Sequence, residues 1–476
     1  MVKARAKGEV RHRDWRDTYK SRLTTAAQAV RAVKSGDIVV YFILAPMSLQ
    51  EALFARRNEL SDVTVRLLAP TFDPGWFQPG SEGSFNVEFE FFIGDFARFV
   101  TDERRGTYLP NLFSLGMKPY DDGRPDVRPP DVAMVRVSPP NDQGYCHFGA
   151  HHWTQRAYAR RAKTVIAEVD EELIRVHGDC YVHVSEIDAF VETERVPFTK
   201  AEFDRIMKDV NPERREGWER LWAALPDPTR LAPLAGLMPS ISPEDALRVL
   251  GLQPPPECAP AIAAYLSELV QDGDTIQIGV GEPSRFMPNL GAFDGKHDLG
   301  LHTELGSPGL GRMAQEGILT GRHKNIDRGK AVAIAWTGCN EEDLAIIDDN
   351  PSFEIHDPEY VLGPRTLVQF ENFVSINNAL SVDLLGQINS ESVFGGRIIN
   401  GTGGQPEMHL AAAFSPGGRA ITLLPSTALD GAVSRIVCQL ETGSFVTIPR
   451  FYADIIVTEY GVARLWGKNH RQRAEE

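Results

Sequence analysis

Apolar residues fall at Ala26, Ala29, Val30 and Val33, the i, i+3, i+4, i+7 spacing of an amphipathic helix, with Thr24 or Thr25 placed to cap its start. The same stripe recurs at Ile262, Tyr265, Leu266 and Leu269. Each stripe runs to a Gly-Asp pair, Gly36-Asp37 or Gly273-Asp274, where glycine suits the left-handed end of a helix. An apolar strand comes next in both cases, Ile38 to Leu44 and Thr275 to Ile278. The chain therefore starts one helix, turn and strand module twice. A second correspondence agrees with this: Val132 to Val137 runs into Asn141-Asp142-Gln143-Gly144, and Val374 to Val382 into Asp383-Leu384-Leu385-Gly386. Thr164 to Val169 and Ala420 to Leu424 are apolar without strict alternation, which suits strands covered on both faces of a sheet. Such strands alternating with helical stripes predict two α/β domains.

Between the repeats the pattern changes. Lys200 to Val210 and Pro212 to Leu225 read as charged helices, and Pro226, Pro228, Pro233 and Pro254-Pro255-Pro256 break the chain beyond them. The expected organisation is a first domain over 1–196, a helical, proline-rich insertion over 197–257 and a second domain over 258–476. Charged helices joined by flexible turns fit a solvated spacer and a lid over a site equally well.

A length of 476 residues exceeds one ordinary core and agrees with two domains. With 42% apolar and 24% charged residues, the chain is neither disordered nor fibrous. The longest apolar run, Ile38 to Met47, is far short of a bilayer span. The basic amino terminus (Lys3, Arg5, Lys7, Arg11, Arg13) is interrupted by Glu9 and has no apolar stretch behind it. No membrane span or secretory signal is expected, and the cytoplasm is the expected location. A formal charge of −15 argues against a nucleic-acid partner, while leaving room for a local basic pocket. Cys146, Cys180, Cys258, Cys339 and Cys438 are scattered, form no C-x-x-C pair and read as reduced thiols.

Chemistry concentrates around Glu304, in Gly300-Leu301-His302-Thr303-Glu304-Leu305. Two glycine-rich turns flank it in sequence, Gly279-Val280-Gly281 and Gly401-Thr402-Gly403-Gly404-Gln405. Such turns let backbone N–H groups approach a reacting carbonyl, so a carboxylate beside them can serve as an acyl nucleophile. Taken alone, the pattern also fits a surface glutamate after a strand. Cys146, His147, His151 and His152 match no strong zinc spacing, and no metal site is expected. The chain has no G-x-S-x-G elbow and no GxxxxGK[ST] phosphate loop, and Ser284 stands where a dinucleotide fingerprint needs its third glycine. Serine hydrolase, nucleotide hydrolase and Rossmann dehydrogenase are set aside.

Taken in order, these blocks resemble the acetyl-CoA hydrolase/transferase family, the acetate and 4-hydroxybutyrate CoA-transferase type of class I CoA-transferases. The resemblance runs from Tyr19-Lys20-Ser21-Arg22-Leu23-Thr24 to the end of the chain, apart from the insertion. It is densest over Thr275 to Gly281, Leu299 to Glu304, Ile376 to Ser392, Gly401 to Gln405, Leu424 to Arg435 and Val457 to Leu465. It implies an α/β fold of two tandem open-sheet domains of the CoA-transferase type, an active site between them, and a homodimer. It also implies that Glu304 attacks an acyl-CoA thioester, giving an acyl-glutamyl anhydride and then a glutamyl-CoA thioester. A carboxylate ionised at pH 7 needs no general base for this, but each tetrahedral intermediate needs oxyanion donors. Those are expected from the turns at Gly279 and Gly281 and at Gly403 and Gly404, with Gln405 along bound CoA. The implied substrates are an acyl-CoA and a small carboxylate, with no cofactor beyond CoA.

Several positions depart from the family pattern. Tyr41-Phe42-Ile43-Leu44-Ala45-Pro46-Met47 replaces a small-residue turn, and Ser307-Pro308-Gly309 keeps a glycine but loses an acid. His356-Asp357-Pro358 stands for Asn-Asp-Pro, and an imidazole near an acyl-glutamyl intermediate could activate water. Glu407-Met408-His409-Leu410-Ala411 lacks the arginine found after the GxGGQ turn in similar proteins. Over Lys468 to Glu476, where relatives continue into another helix, the chain is expected to be shorter or different. Three readings stay open: a CoA-transferase, an acyl-CoA hydrolase using Glu304 and His356, and an inactive ligand-binding relative.

Overall fold

The computed structural model describes residues 14–42, 46–70, 72–193, 198–208, 210–238, 242–249 and 252–476. Ile43, Leu44 and Ala45 of the expected bulky turn, and the basic amino terminus up to Arg13, lie outside the described residues. In the first half, α1 (Ala26–Ala29) precedes β1 (Ile38–Tyr41), β2 (Val63–Leu67), β3 (Phe85–Phe89), β4 (Gly106–Tyr108) and β5 (Val132–Val137). Then come α2 (Gln155–Ala159), β6 (Thr164–Val169), β7 (His177–Gly178) and β8 (Ala189–Glu192). All of these strands except β7 form one parallel sheet in the order β8-β6-β5-β1-β2-β3-β4. Parallel sheets need cover on both faces. Along β5, Val132 and Met134 enter one core while Ala133, Val135 and Val137 enter another, so the uninterrupted apolar pattern has a direct cause.

Three helices come next in the chain, α3 (Lys200–Met207), α4 (Pro212–Ala224) and α5 (Pro243–Val249). They enclose a small core of their own, including Phe203, Ile206, Trp218, Leu221, Leu231 and Leu234. Arg230 reaches Glu341 at 3.3 Å and ties this unit to the second half.

The second half opens with α6 (Ala259–Leu269). Its strands are β9 (Thr275–Ile278), β10 (Gly300–Leu305), β11 (Ala331–Ala335), β12 (Phe353–Ile355), β13 (Phe373–Asn378), β14 (Arg419–Leu423), β15 (Ile455–Thr458) and β16 (Gly461–Arg464), with α7 (Gln405–Phe414) between β13 and β14. The sheet order is β16-β15-β14-β13-β9-β10-β11-β12-β7. Of the pairings in this order, the β15-β16 one is antiparallel and the others are parallel. The edge strand β7 comes from the first half, so the two halves share hydrogen bonds as well as a core. That shared core joins Phe91, Phe113 and Trp153 to Leu305, Leu362 and Met408.

The repeated module differs in detail from the sequence expectation. The first stripe forms α1 and a short 3-10 turn over Val30–Ala32, and the second ends at Leu269, so neither helix reaches its Gly-Asp pair. Gly36 and Gly273 instead sit at φ 78° in matching turns closed by the next residue, an aspartate. Asp37 accepts from the Lys34 N–H at 2.8 Å, and Asp274 accepts from the Gln271 N–H at 2.7 Å. Aspartate competes well for such donors, which ends the helix before glycine is reached. Among the described residues, no helix is long and apolar enough to cross a membrane.

Candidate active site

Glu304 is carried by β10, between β9 and β11 in the second sheet. Strand alternation puts it on the same face as His302, whose buried ring bonds the Val361 carbonyl at 2.8 Å. The Glu304 side chain is half-buried, and its Oε2 accepts a 2.7 Å hydrogen bond from the Gly404 N–H. Gly404 caps the amino end of α7, where unsatisfied N–H groups and the helix dipole favour an anion. Glycine keeps that approach open. A Cβ at position 404 would press on Glu304 Oε2 and lie 2.9 Å from Leu362 Cδ2, while a Cβ at Gly403 would meet Phe91 at 3.8 Å.

Burial pushes the Glu304 carboxyl up to about 7, against the opposing pull of the Gly404 N–H. That upward push opposes the expectation of a carboxylate ionised without help at neutral pH, so the site itself must hold the charge on Glu304. Desolvation is the reason, and sequence spacing carries no trace of it.

The turn that meets Glu304 is fixed by the other half of the molecule. Gly401 donates to the Phe92 carbonyl at 2.5 Å, Thr402 N–H to the Tyr108 hydroxyl at 3.3 Å, and Arg98 to the Ile399 carbonyl at 2.8 Å. Thr402 Oγ1 also donates to Glu391 at 2.9 Å, and Glu391 accepts from Thr447 on its other oxygen. Further into the first turn of α7, the buried Glu407 accepts from the Ser114 N–H at 3.2 Å. The site thus lies where the two sheets' loops meet.

The first glycine turn contributes differently from the expectation. The Gly279 N–H is given to the Ile376 carbonyl at 2.7 Å, so it is committed to the sheet and not free for an oxyanion. Gly281 is held by its carbonyl, which accepts from Arg285 N–H and the Ser284 hydroxyl, and the expected role of its N–H is untouched by these bonds. What both glycines permit is close approach to β13: a Cβ would stand 2.8 Å from Asn377 Oδ1 at Gly279 and 2.6 Å from Asn378 Nδ2 at Gly281. Asn378 then links the two turns, because its side chain bonds Ser284 and its carbonyl accepts from Gln405 Nε2 at 3.0 Å. Gln405 therefore acts inside the protein as a brace.

His356 stands just past β12, and its ring is engaged by Glu354 and Tyr360. Its Nε2 lies 3.0 Å from Glu354 Oε2, and its ring packs on Tyr360 at 4.9 Å between centroids. Glu354, two residues earlier on that strand face, captures the imidazole. Asp357 beside it bonds His152 at 2.9 Å and Arg156 at 2.8 Å, joining this loop to α2. Burial alone would raise the Asp357 carboxyl, yet these partners hold it below the usual carboxylate range. His147 and His151 turn to Gly149 and Thr337, so the histidine cluster does not converge. In the Ser307-Pro308-Gly309 turn, buried Asp343 accepts from the Gly309 and Gly311 N–H groups at 2.9 and 2.8 Å.

Two features of the site escape a reading of the sequence. Phe91 and Leu362 crowd the turn beside Glu304, and nothing in their spacing marks them. Glu407 stands in the sequence at the head of the block after the GxGGQ turn, in the first turn of a helix, where carboxylates commonly serve capping. Its partner on the other half gives no local signal.

Comparison with known proteins fits this architecture. The acetyl-CoA hydrolase/transferase N-terminal domain model matches residues 7–200, and the C-terminal domain model of that family matches residues 341–476. Glu304 lies between the two matched stretches. The chain is 31% identical to a 4-hydroxybutyrate coenzyme A transferase of Clostridium kluyveri, over 97% of this chain and 94% of that protein. It is 32% identical to a succinyl-CoA:cyclohexane-1-carboxylate CoA transferase of Geobacter metallireducens, over 97% and 92%. Among solved structures, RipA from Yersinia pestis superposes with a TM-score of 0.74 at 26% identity, covering 97% of this chain and 94% of that one.

Proposed function

The chain belongs to the acetyl-CoA hydrolase/transferase family and is a CoA-transferase or acyl-CoA hydrolase; from that premise we propose that it moves CoA from an acyl-CoA to a carboxylic acid, with Glu304 as nucleophile. The observation that carries the reading is the Gly404 N–H placed 2.7 Å from Glu304 Oε2 at the joint of the two halves. In this mechanism a Glu304 oxygen attacks the thioester carbon and the CoA thiolate leaves, giving an acyl-glutamyl anhydride. The thiolate then attacks the glutamyl carbonyl, which releases the first acid as its carboxylate and leaves a glutamyl-CoA thioester. The second acid reverses the sequence and departs as the new acyl-CoA. Negative charge develops on a carbonyl oxygen at each addition, and an N–H at a helix start is suited to receive it. The carboxylate itself is the nucleophile, so the reaction as written needs no cofactor beyond the CoA of its substrates.

Relatives named for 4-hydroxybutyrate and for succinyl-CoA and cyclohexane-1-carboxylate support small linear or cyclic carboxylic acids as the substrate class. The test is mass analysis of the protein after incubation with a panel of acyl-CoAs, with borohydride to trap the thioester. A CoA adduct on the peptide containing Glu304, absent from Glu304→Gln, is the expected result. Undiminished turnover by Glu304→Gln would sink the proposal. CoA release that depends on added acid identifies transfer, and release without it identifies hydrolysis.

A further inference from the structure

Behind the Glu304 carboxylate the protein buries a second one. Glu407, three residues after Gly404 on α7, is only 3% exposed. Its Oε1 receives the Ser114 N–H, and its Oε2 is buried with no partner among the described residues. No cation among them pairs with it. Glu304 is the charged group that acts on it from β10, and it acts unfavourably. On the first-half side, beyond the Ser114–Gly116 turn, Glu90 is bound by Tyr158 at 2.7 Å. On its own helix, His409 bonds the Gln405 carbonyl and Thr422. On β14, Arg419 is paired with Asp274. Arg365 lies on the short helix Pro364–Leu367 that packs on α7, and its carbonyl accepts from Gln369.

We propose that Glu407 is a positioning residue for Glu304: a neutral carboxyl kept behind the nucleophile so that the single negative charge of the pair rests on Glu304. The inference rests on the reading of Glu304 as nucleophile. Its geometric basis is the unequal provision of donors. Glu304 takes the 2.7 Å bond from the helix start, whereas Glu407, buried against the backbone and side chain of Ser114, has a 3.2 Å backbone bond and an oxygen with no partner among the described residues. An orphaned carboxylate oxygen in a dry site is costly, and a protonated one is much less so. Burial, together with the nearby Glu304, pushes Glu407 up to about 8, in line with this order of ionisation. Two close carboxylates titrate as a pair, in two steps. Between the steps the site carries one charge. After the second, a fixed negative charge stands behind the carbonyl carbon on which an oxyanion must form, and like charges in a dry site oppose that strongly.

The experiment is the pH dependence of kcat/KM for the wild type, Glu407→Gln and Glu304→Gln. The expected wild-type profile rises through about pH 7 and falls above about pH 8, by roughly tenfold per unit beyond the second step. In Glu407→Gln the falling limb should disappear while the rising limb stays. The infrared difference spectrum, wild type minus Glu407→Gln at pH 7, should show a protonated carboxyl C=O band beyond the Glu304 contribution common to both. This second measurement needs no activity from the variant. A falling limb retained in Glu407→Gln, or no such band in that difference, overturns the role of Glu407 while leaving Glu304 intact. Activity in Glu304→Gln overturns the underlying reading instead.

Discussion

At the scale of single residues, the site depends on the absence of one methyl group. The Gly404 N–H reaches Glu304 only because nothing projects from the Gly404 Cα, and a Cβ there would meet both the carboxylate and Leu362. Gly404→Ala keeps the N–H and should still lose about a hundredfold in kcat/KM, the cost of misplacing a reacting group by about 1 Å. Steady-state kinetics checks this, and a loss of less than about threefold would show that the turn has room to spare. His356 teaches the opposite lesson. Its identity suggested a base, and what the fold adds is the orientation of its ring by Glu354 and Tyr360.

At the scale of elements, the loop after β12 and the helix α2 are locked by Asp357. Arg156 is 6% exposed and shares its charge between Asp357 and Asp179, while His152 takes the other Asp357 oxygen. Asp357→Ala leaves a buried guanidinium with one carboxylate partner and should cost about 3 kcal/mol, the lower end for breaking a buried pair, because Asp179 remains. Denaturant unfolding measures it, and a change under about 1 kcal/mol would mean that the loop is held by its apolar contacts alone. Asn378 does similar work between the two glycine turns, where its side chain holds Ser284 and its carbonyl holds Gln405.

At the scale of the whole molecule, joining the halves over buried acids makes stability depend on pH. Glu304 and Glu407 rise to about 7 and about 8 in the folded protein, so the folded state binds their protons more tightly than the unfolded chain, where glutamate titrates near ~4.3. Their stabilising contribution is fully present below that ordinary range. It is lost as pH rises through about 7 and about 8. Melting temperature should therefore decline from about pH 5 to about pH 8.5, and Glu407→Gln should flatten the upper part of that decline. A wild-type melting temperature that climbs across this range would contradict it.

The sequence by itself determined the two α/β halves, because a strand buried on both faces must be apolar throughout and a helix over a sheet must show its stripe. It also determined the family and the position of Glu304, which ordered blocks of motif record directly. The tertiary structure decided the rest. Which N–H meets the carboxylate depends on how β10 and the start of α7 pack against Phe91, Phe92 and Tyr108, residues of the other half of the chain. Whether an acid is ionised depends on the water that packing removes, and Glu407 carries no local mark of the Ser114 turn that buries it. Spacing along a chain encodes periodicity and turns, whereas desolvation and donor geometry exist only once distant segments meet.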